Sequence, residues 1–333
     1  MKTKTLKPEE YLASTGRIRM LNTRLVTGER LMRMANAKDA ADAIKVLSEC
    51  GYDISPAVGK TGAAGLYALS AVINRDRAAT LALLEKIVPN KMFTDYFRIS
   101  IDYHNIKVML KSAYLSGSAL PSLMPGGRFT EEKMTGIIAS RDFSALGDAA
   151  GAVENAREIL LKTLDGQLAD FELDRAMLAD MSATAGAAKS TVLEQYASLY
   201  TDCVNLKAAV RLARMSGGEQ YASKVYAEGG SVGVKALLES RSVFEAFKGT
   251  AFEKAAAEGE KIVQSGSFTA FEAACAAALD GFVGKLRYAS YGAEVLLSYL
   301  AAKEREYTAV RRVISAVMTG GNAIEAAEGF KGR

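Results

Sequence analysis

No proline occurs between Pro125 and the final residue, Arg333, and only Pro8, Pro56, Pro89 and Pro121 precede it. Proline ends helices because it lacks the backbone N–H and its ring clashes with the preceding turn. A long proline-free stretch rich in Ala, Leu, Glu, Lys and Arg therefore predicts helix after helix. The chain is expected to be all-α. Its 333 residues exceed the ~250–300 at which one hydrophobic core usually gives way to several domains.

Repetition supports that division. Residues 102–118 read DYHNIKVMLKSAYLSGS and residues 202–218 read DCVNLKAAVRLARMSGG. With Lys107 and Lys207 equivalent, Asp102 matches Asp202, Asn105 matches Asn205, Ile106 matches Leu206, and Ser116-Gly117 matches Ser216-Gly217. Tyr96 and Tyr196 each lie eleven residues before the lysine. Ile106, Met109, Leu110, Ala113 and Tyr114 have the spacing of the stripe that an amphipathic helix buries. The same layout recurs at Val310, Val313, Ile314, Val317 and Met318, with Arg311 in the lysine position and Gly320-Gly321 at the end. A weaker version runs through Ile18, Leu21, Leu25 and Val26, with Arg19 in the basic position and Gly28 beyond. Glycine after each stripe suits a helix C-cap.

Between the repeats lie shorter helices, such as one capped by Thr130, and longer amphipathic ones. Ala156, Ile159, Leu160, Thr163 and Leu164 predict one buried stripe; Val295, Leu296, Tyr299 and Leu300 predict part of another. Glu304-Arg305-Glu306 with Arg311-Arg312 reads as a solvated helix face carrying local ion pairs. The repeats place helical domains at 1–101, 102–201 and 202–303, with residues 304–333 a candidate to complete the first.

Motifs for chemistry are missing. VGKTG at 58–62 resembles the end of a phosphate-binding loop, but the position that requires the first glycine is Ile54, and Pro56 intervenes. His104 is the only histidine, which excludes multi-histidine metal sites and leaves a histidine-based triad without an evident partner. It reads as a solvated or capping residue. Cys50, Cys203 and Cys275 are far apart with no metal spacing, and fit buried thiols in a reducing compartment. The net charge of +4 is spread along the chain, which does not suit a nucleic-acid stripe. The start, MKTKTLKPEEYL, lacks the apolar region of a secretory signal. The longest helix-compatible uncharged run, Thr61–Asn74, is too short to span a bilayer, which needs ~20 residues. No catalytic, cofactor or metal site is expected.

The all-α repeats, with Asp102-x-x-Asn105-Ile106-Lys107 and the run Tyr299-Leu300-x-x-Lys303-Glu304 through Arg311, resemble the C subunits of the V-type and archaeal A-type ATPases. This family includes the eukaryotic counterpart, the d subunit, and the similarity covers essentially the whole chain. The resemblance implies three similar helical domains in a pseudo-threefold funnel. It implies a non-catalytic central-stalk part, in one copy per complex and monomeric when isolated, without a cofactor. Such a part sits on the cytoplasmic side of a membrane proteolipid ring, receives the shaft made of the D and F subunits, and conveys torque for ion transport or ATP synthesis.

Lys107, Lys207 and Arg311 are the candidate partner contacts, as basic positions shared by the repeats. A lysine beside an apolar stripe also commonly snorkels into water with no such role. The loops ending the repeat helices, at Gly117, Gly217 and Gly320, are candidate rims. The competing function is a helical-repeat scaffold or adaptor outside any rotary machine, although solenoid repeats are usually shorter and more numerous.

Overall fold

The computed structural model describes residues 5–114, 123–215, 217–264 and 268–330. Among them there is no strand, and the all-α expectation holds. The first helices are α1 (Leu12–Asn22), α2 (Gly28–Ala35), α3 (Ala40–Glu49) and α4 (Gly62–Ile87). Next come α5 (Met92–Tyr114), α6 (Glu131–Ser140), α7 (Ala150–Thr163), α8 (Gly166–Ala187) and α9 (Thr191–Arg214). They are followed by α10 (Ala222–Val225), α11 (Val234–Glu239), α12 (Val243–Phe247), α13 (Glu253–Gln264) and α14 (Phe268–Leu286). The last two are α15 (Ala293–Thr319) and α16 (Ala323–Glu328).

Backbone contacts divide the chain into two compact units. One is built on Asn90–Lys285, and the other combines Lys7–Pro89 with Leu286–Arg333. In the second unit, α15 packs against α1, α2, α3, α4 and α16. It is 27 residues long without an internal Gly or Pro, so nothing in it kinks or stops the helix. The two stripes expected at 295–300 and 310–314 lie on this single helix, where Val295, Leu296, Tyr299, Leu300, Val310, Val313 and Ile314 are all buried. Val310, Val313 and Ile314 meet Leu31, Met34, Leu47, Leu69 and Ile73 in one core. At the end of α15, Gly320 adopts φ 71° and its N–H bonds to Ala316 O, the left-handed cap that glycine permits.

The Asn90–Lys285 unit packs α5 and α7 on α8, α8 on α9, and α9 on α13. Thr130 caps α6 by accepting from Lys133 N, as its position predicts. Ile106 and Leu110 of the α5 stripe are fully buried, whereas Met109 and Tyr114 are half-buried and Ala113 is exposed. In α9, Leu206, Ala209 and Val210 join a core with Phe247, Phe252 and Phe271. Tyr96 and Tyr196, the equivalent aromatics, meet edge to face with ring centroids 6.1 Å apart.

Several expectations need correction. The α7 stripe is Val153, Ala156 and Leu160; the helix stops at Thr163, and Leu164 turns left-handed (φ 55°) with its side chain exposed. Asp165 then caps α8, so the chain changes direction where the periodic pattern appeared to continue. Gly28 does not end α1. It opens α2 behind the cap Thr27, whose side chain accepts from Arg30 N. Apart from these corrections, the divisions at 101/102, 201/202 and 303/304 follow the repeated motif, and each position lies inside a long helix, α5, α9 or α15. The VGKTG segment lies between a 3₁₀ turn (Ser55–Ala57) and α4.

Leu110→Ala and Ile314→Ala each remove a side chain with almost no exposure. Each is expected to lower stability by ~2–5 kcal/mol, read by urea unfolding. A loss under about 1 kcal/mol would mean that these stripes can collapse around a cavity.

Candidate functional site

The residues repeated between α5 and α9 build the same device twice. Asp102 lies mid-helix and is 1% exposed. Its Oδ1 accepts from Arg128 N at 2.9 Å and Phe129 N at 3.4 Å, while Oδ2 accepts from Arg128 Nε at 2.7 Å. One turn further on, Asn105 binds both backbone groups of Met124: Nδ2 donates to its carbonyl at 2.9 Å and Oδ1 accepts its N–H at 2.8 Å.

In the second copy Asp202, also 1% exposed, accepts from Ser231 N at 3.0 Å and Val232 N at 3.1 Å. Asn205 grips Ala227 by the same two bonds, at 2.8 and 2.9 Å. Phe129 and Val232 each stand immediately before the residue that caps the next short helix, α6 or α11. A buried carboxylate must find donors, and a loop entering a helix has N–H groups to satisfy. Each need is met by the other, with charge-assisted bonds of about 1.5–3 kcal/mol apiece.

Both loops carry a Gly-Gly pair at the point of closest approach. A Cβ on Gly127 would lie 2.3 Å from Asp102 Oδ1, and one on Gly230 would lie 2.3 Å from Asp202 Oδ1. The preceding Gly126 and Gly229 have φ of 92° and 101°. These glycines went unrecognised because the loops differ in length: Gly127 lies 25 residues after Asp102, and Gly230 lies 28 after Asp202. The signal available was a Gly-Gly pair just ahead of each short helix.

A third version occurs in the other unit. In the register that equates Arg311 with Lys107, Glu306 falls at the aspartate position and Tyr307 at that of Tyr103, and all four are buried. Glu306 Oε2 accepts from Val26 N at 2.7 Å, immediately before Thr27, the cap of α2. Ala309 replaces the asparagine. The short helix here comes from the beginning of the chain and the long one from its end.

The expected solvated face at 304–306 is incorrect. Glu306 Oε1 accepts from the Tyr52 hydroxyl and from Lys303 Nζ at 2.8 Å, and Lys303 also reaches Asp76 Oδ2 at 2.8 Å. Tyr307 donates to Asp76 Oδ2 at 2.7 Å. The Lys303 ammonium lies 4.7 Å from the Tyr52 ring centroid and 4.9 Å from that of Tyr307, within cation–π range. Arg77 makes a bidentate pair with Glu304, both bonds 2.9 Å. Burial opposes the charge on Lys303, but Glu306 and Asp76 outweigh it and hold the ammonium above its ordinary value. Burial and the adjacent carboxylates push the Tyr52 and Tyr307 phenols up.

Lys107 pairs with Asp174 of α8 at 2.5 Å, and Lys207 pairs with Glu272 of α14 at 2.7 Å. Both lysines are thus engaged within their own unit. Arg311 is exposed on α15 and forms no ion pair among the described residues. Gly217 and Gly320 are left-handed turn residues, and Gly117 lies outside the described residues. Among the described residues, no helix is long and apolar enough to cross a membrane.

Gly127→Ala and Gly230→Ala force apart a buried carboxylate and its loop, and each is expected to cost ~1–3 kcal/mol. Gly28→Ala, whose Cβ meets nothing within 4 Å, is the control that leaves the urea midpoint unchanged or slightly raised. Equal effects at all three positions would contradict the clamp.

Lys303 keeps its proton to a higher pH when folded than the ordinary 10.5. Its contribution is therefore whole below that value and lost as pH rises through the folded one. The buried phenols act in the same direction. The urea midpoint should fall between pH 9.5 and about 11.5, less steeply in Lys303→Met; a flat profile in the unsubstituted protein would refute the assignment.

The ATP synthase (C/AC39) subunit family matches residues 14–324, nearly the whole chain and including all three clamps. The chain is also similar to the C subunit of the A-type ATP synthase of Pyrococcus horikoshii, with 22% identity over 320 residues, covering 91% of this chain and 85% of that protein. The chain with these three carboxylate clamps belongs to the ATP synthase (C/AC39) subunit family.

Proposed function

We propose that this protein is the non-catalytic central-stalk component of a rotary V/A-type ATPase, a socket joining the D–F shaft to the membrane proteolipid ring. The family match over residues 14–324 carries this reading, and the clamps supply its mechanics. A part that conveys torque must resist reorientation of its helices under load. Asp102, Asp202 and Glu306, all buried, each tie the entry of a short helix to the middle of a long one through hydrogen bonds. Three clamps favour three helical domains around a pseudo-threefold axis, the third assembled from both ends of the chain. The protein then belongs on the cytoplasmic face of the membrane, attached through its complex and in one copy.

Arg311 is the basic position with a side chain left over for a partner, since Lys107 and Lys207 hold Asp174 and Glu272. The segments at Gly117, Gly217 and Gly320 are the proposed rims. The deciding experiment is capture of the tagged chain from detergent-solubilised membranes of its source, followed by mass spectrometry. Co-recovery of a small proteolipid with the D and F stalk proteins is expected. Capture without them, under conditions that keep the ring intact, would leave the scaffold or adaptor reading.

A further inference from the structure

Two thiols in the Asn90–Lys285 unit lie together with no part in the clamps. Cys203 on α9 is 4% exposed and Cys275 on α14 is 0% exposed, and both belong to the same hydrophobic cluster. One turn away, Lys207 and Glu272 join the same two helices by an ion pair of 2.7 Å. The two buried thiols and this ion pair thus lie at successive levels of the same two helices.

α14 is lightly held. Of its 19 residues, only Phe271 and Cys275 are fully buried. Helices with little buried surface are the first to open locally, and opening α14 exposes both sulfurs at once. The neighbouring Cys275 thiol, together with the Lys207 ammonium, holds Cys203 below the usual thiol range against the effect of burial. The thiolate is the attacking form; Cys203, one turn from the Lys207 ammonium on α9, is taken as the nucleophile, and Cys275, one turn from the Glu272 carboxylate on α14, as the resolving thiol.

We propose that Cys203 and Cys275 form a redox-sensitive dithiol whose oxidation by a peroxide staples α14 to α9. The Cys203 thiolate attacks one peroxide oxygen, breaking the O–O bond to give a sulfenic acid and hydroxide. The Cys275 sulfur then attacks the sulfenic sulfur, forming the S–S bond and releasing water. Overall, two thiols lose two electrons and two protons, and hydrogen peroxide becomes two waters. A small thiol reductant reverses the step by exchange.

The test treats the full chain with hydrogen peroxide, or with glutathione disulfide as a second oxidant. Intact mass is expected to fall by about 2 Da for the disulfide in the peroxide arm. A non-reducing digest should contain the peptides of Cys203 and Cys275 joined, amide exchange in α14 should slow, and dithiothreitol should restore all three. Cys50→Ser should behave like the unsubstituted chain, and Cys203→Ser should lose the cross-link. Absence of the joined peptide with both oxidants would overturn the proposal. So would separate oxygen or glutathione additions at the two positions, or a cross-link through Cys50. The unsubstituted chain alone decides, whether or not the variants fold.

Discussion

A carboxylate buried in the middle of a helix sets terms for everything near it. It is costly to desolvate, its own helix offers it no free N–H, and it must find donors elsewhere. Asp102, Asp202 and Glu306 find them on backbone just ahead of a helix cap. The consequence is directional. Hydrophobic stripes bring helices together without fixing rotation or sliding, whereas a hydrogen-bonded loop entry fixes both. The loop must also come close, so close that a Cβ on Gly127 or Gly230 would lie 2.3 Å from the carboxylate oxygen. In the first two copies an asparagine grips the same loop a second time, so the returning segment is held in register at two points.

The third clamp meets the same requirement with different chemistry. Glutamate is longer than aspartate, and the asparagine is absent. In their place Lys303, Asp76, Tyr52 and Tyr307 form a network around the carboxylate. A lone buried glutamate paired only with one N–H would leave much of its charge uncompensated. Lys303 supplies the countercharge, and the tyrosines supply hydroxyl donors and aromatic faces. Buried ion networks of this kind seldom add much net stability compared with an apolar core, but removing one member is expensive. Their effect is to specify which surfaces meet.

The helical class and most buried stripes were legible from spacing and from the proline-free run, because amphipathic periodicity depends only on local sequence. The Asp-x-x-Asn pair was legible as repetition but not as a clamp. Its partners lie 19 to 30 residues away, on loops of unequal length that a fixed offset cannot align. Glu306 was misread for a different reason. A charged triplet in a helix ordinarily faces water, and only the distant Val26, Tyr52 and Asp76 show that this one does not. Leu164 was misread because a leucine at the right interval extends a helical pattern, while its left-handed backbone is set by the cap that follows.

The unit made of Lys7–Pro89 and Leu286–Arg333 has a consequence for synthesis of the chain. Its opening helices leave the ribosome without α15, the element they pack on. The whole Asn90–Lys285 unit is made before that partner appears. At translation rates of about 5–20 residues per second, Leu31, Leu47 and Leu69 wait roughly ten to fifty seconds with their core incomplete. During that interval the nascent amino-terminal segment is the part of the chain most in need of a chaperone, while the intervening unit is already free to fold.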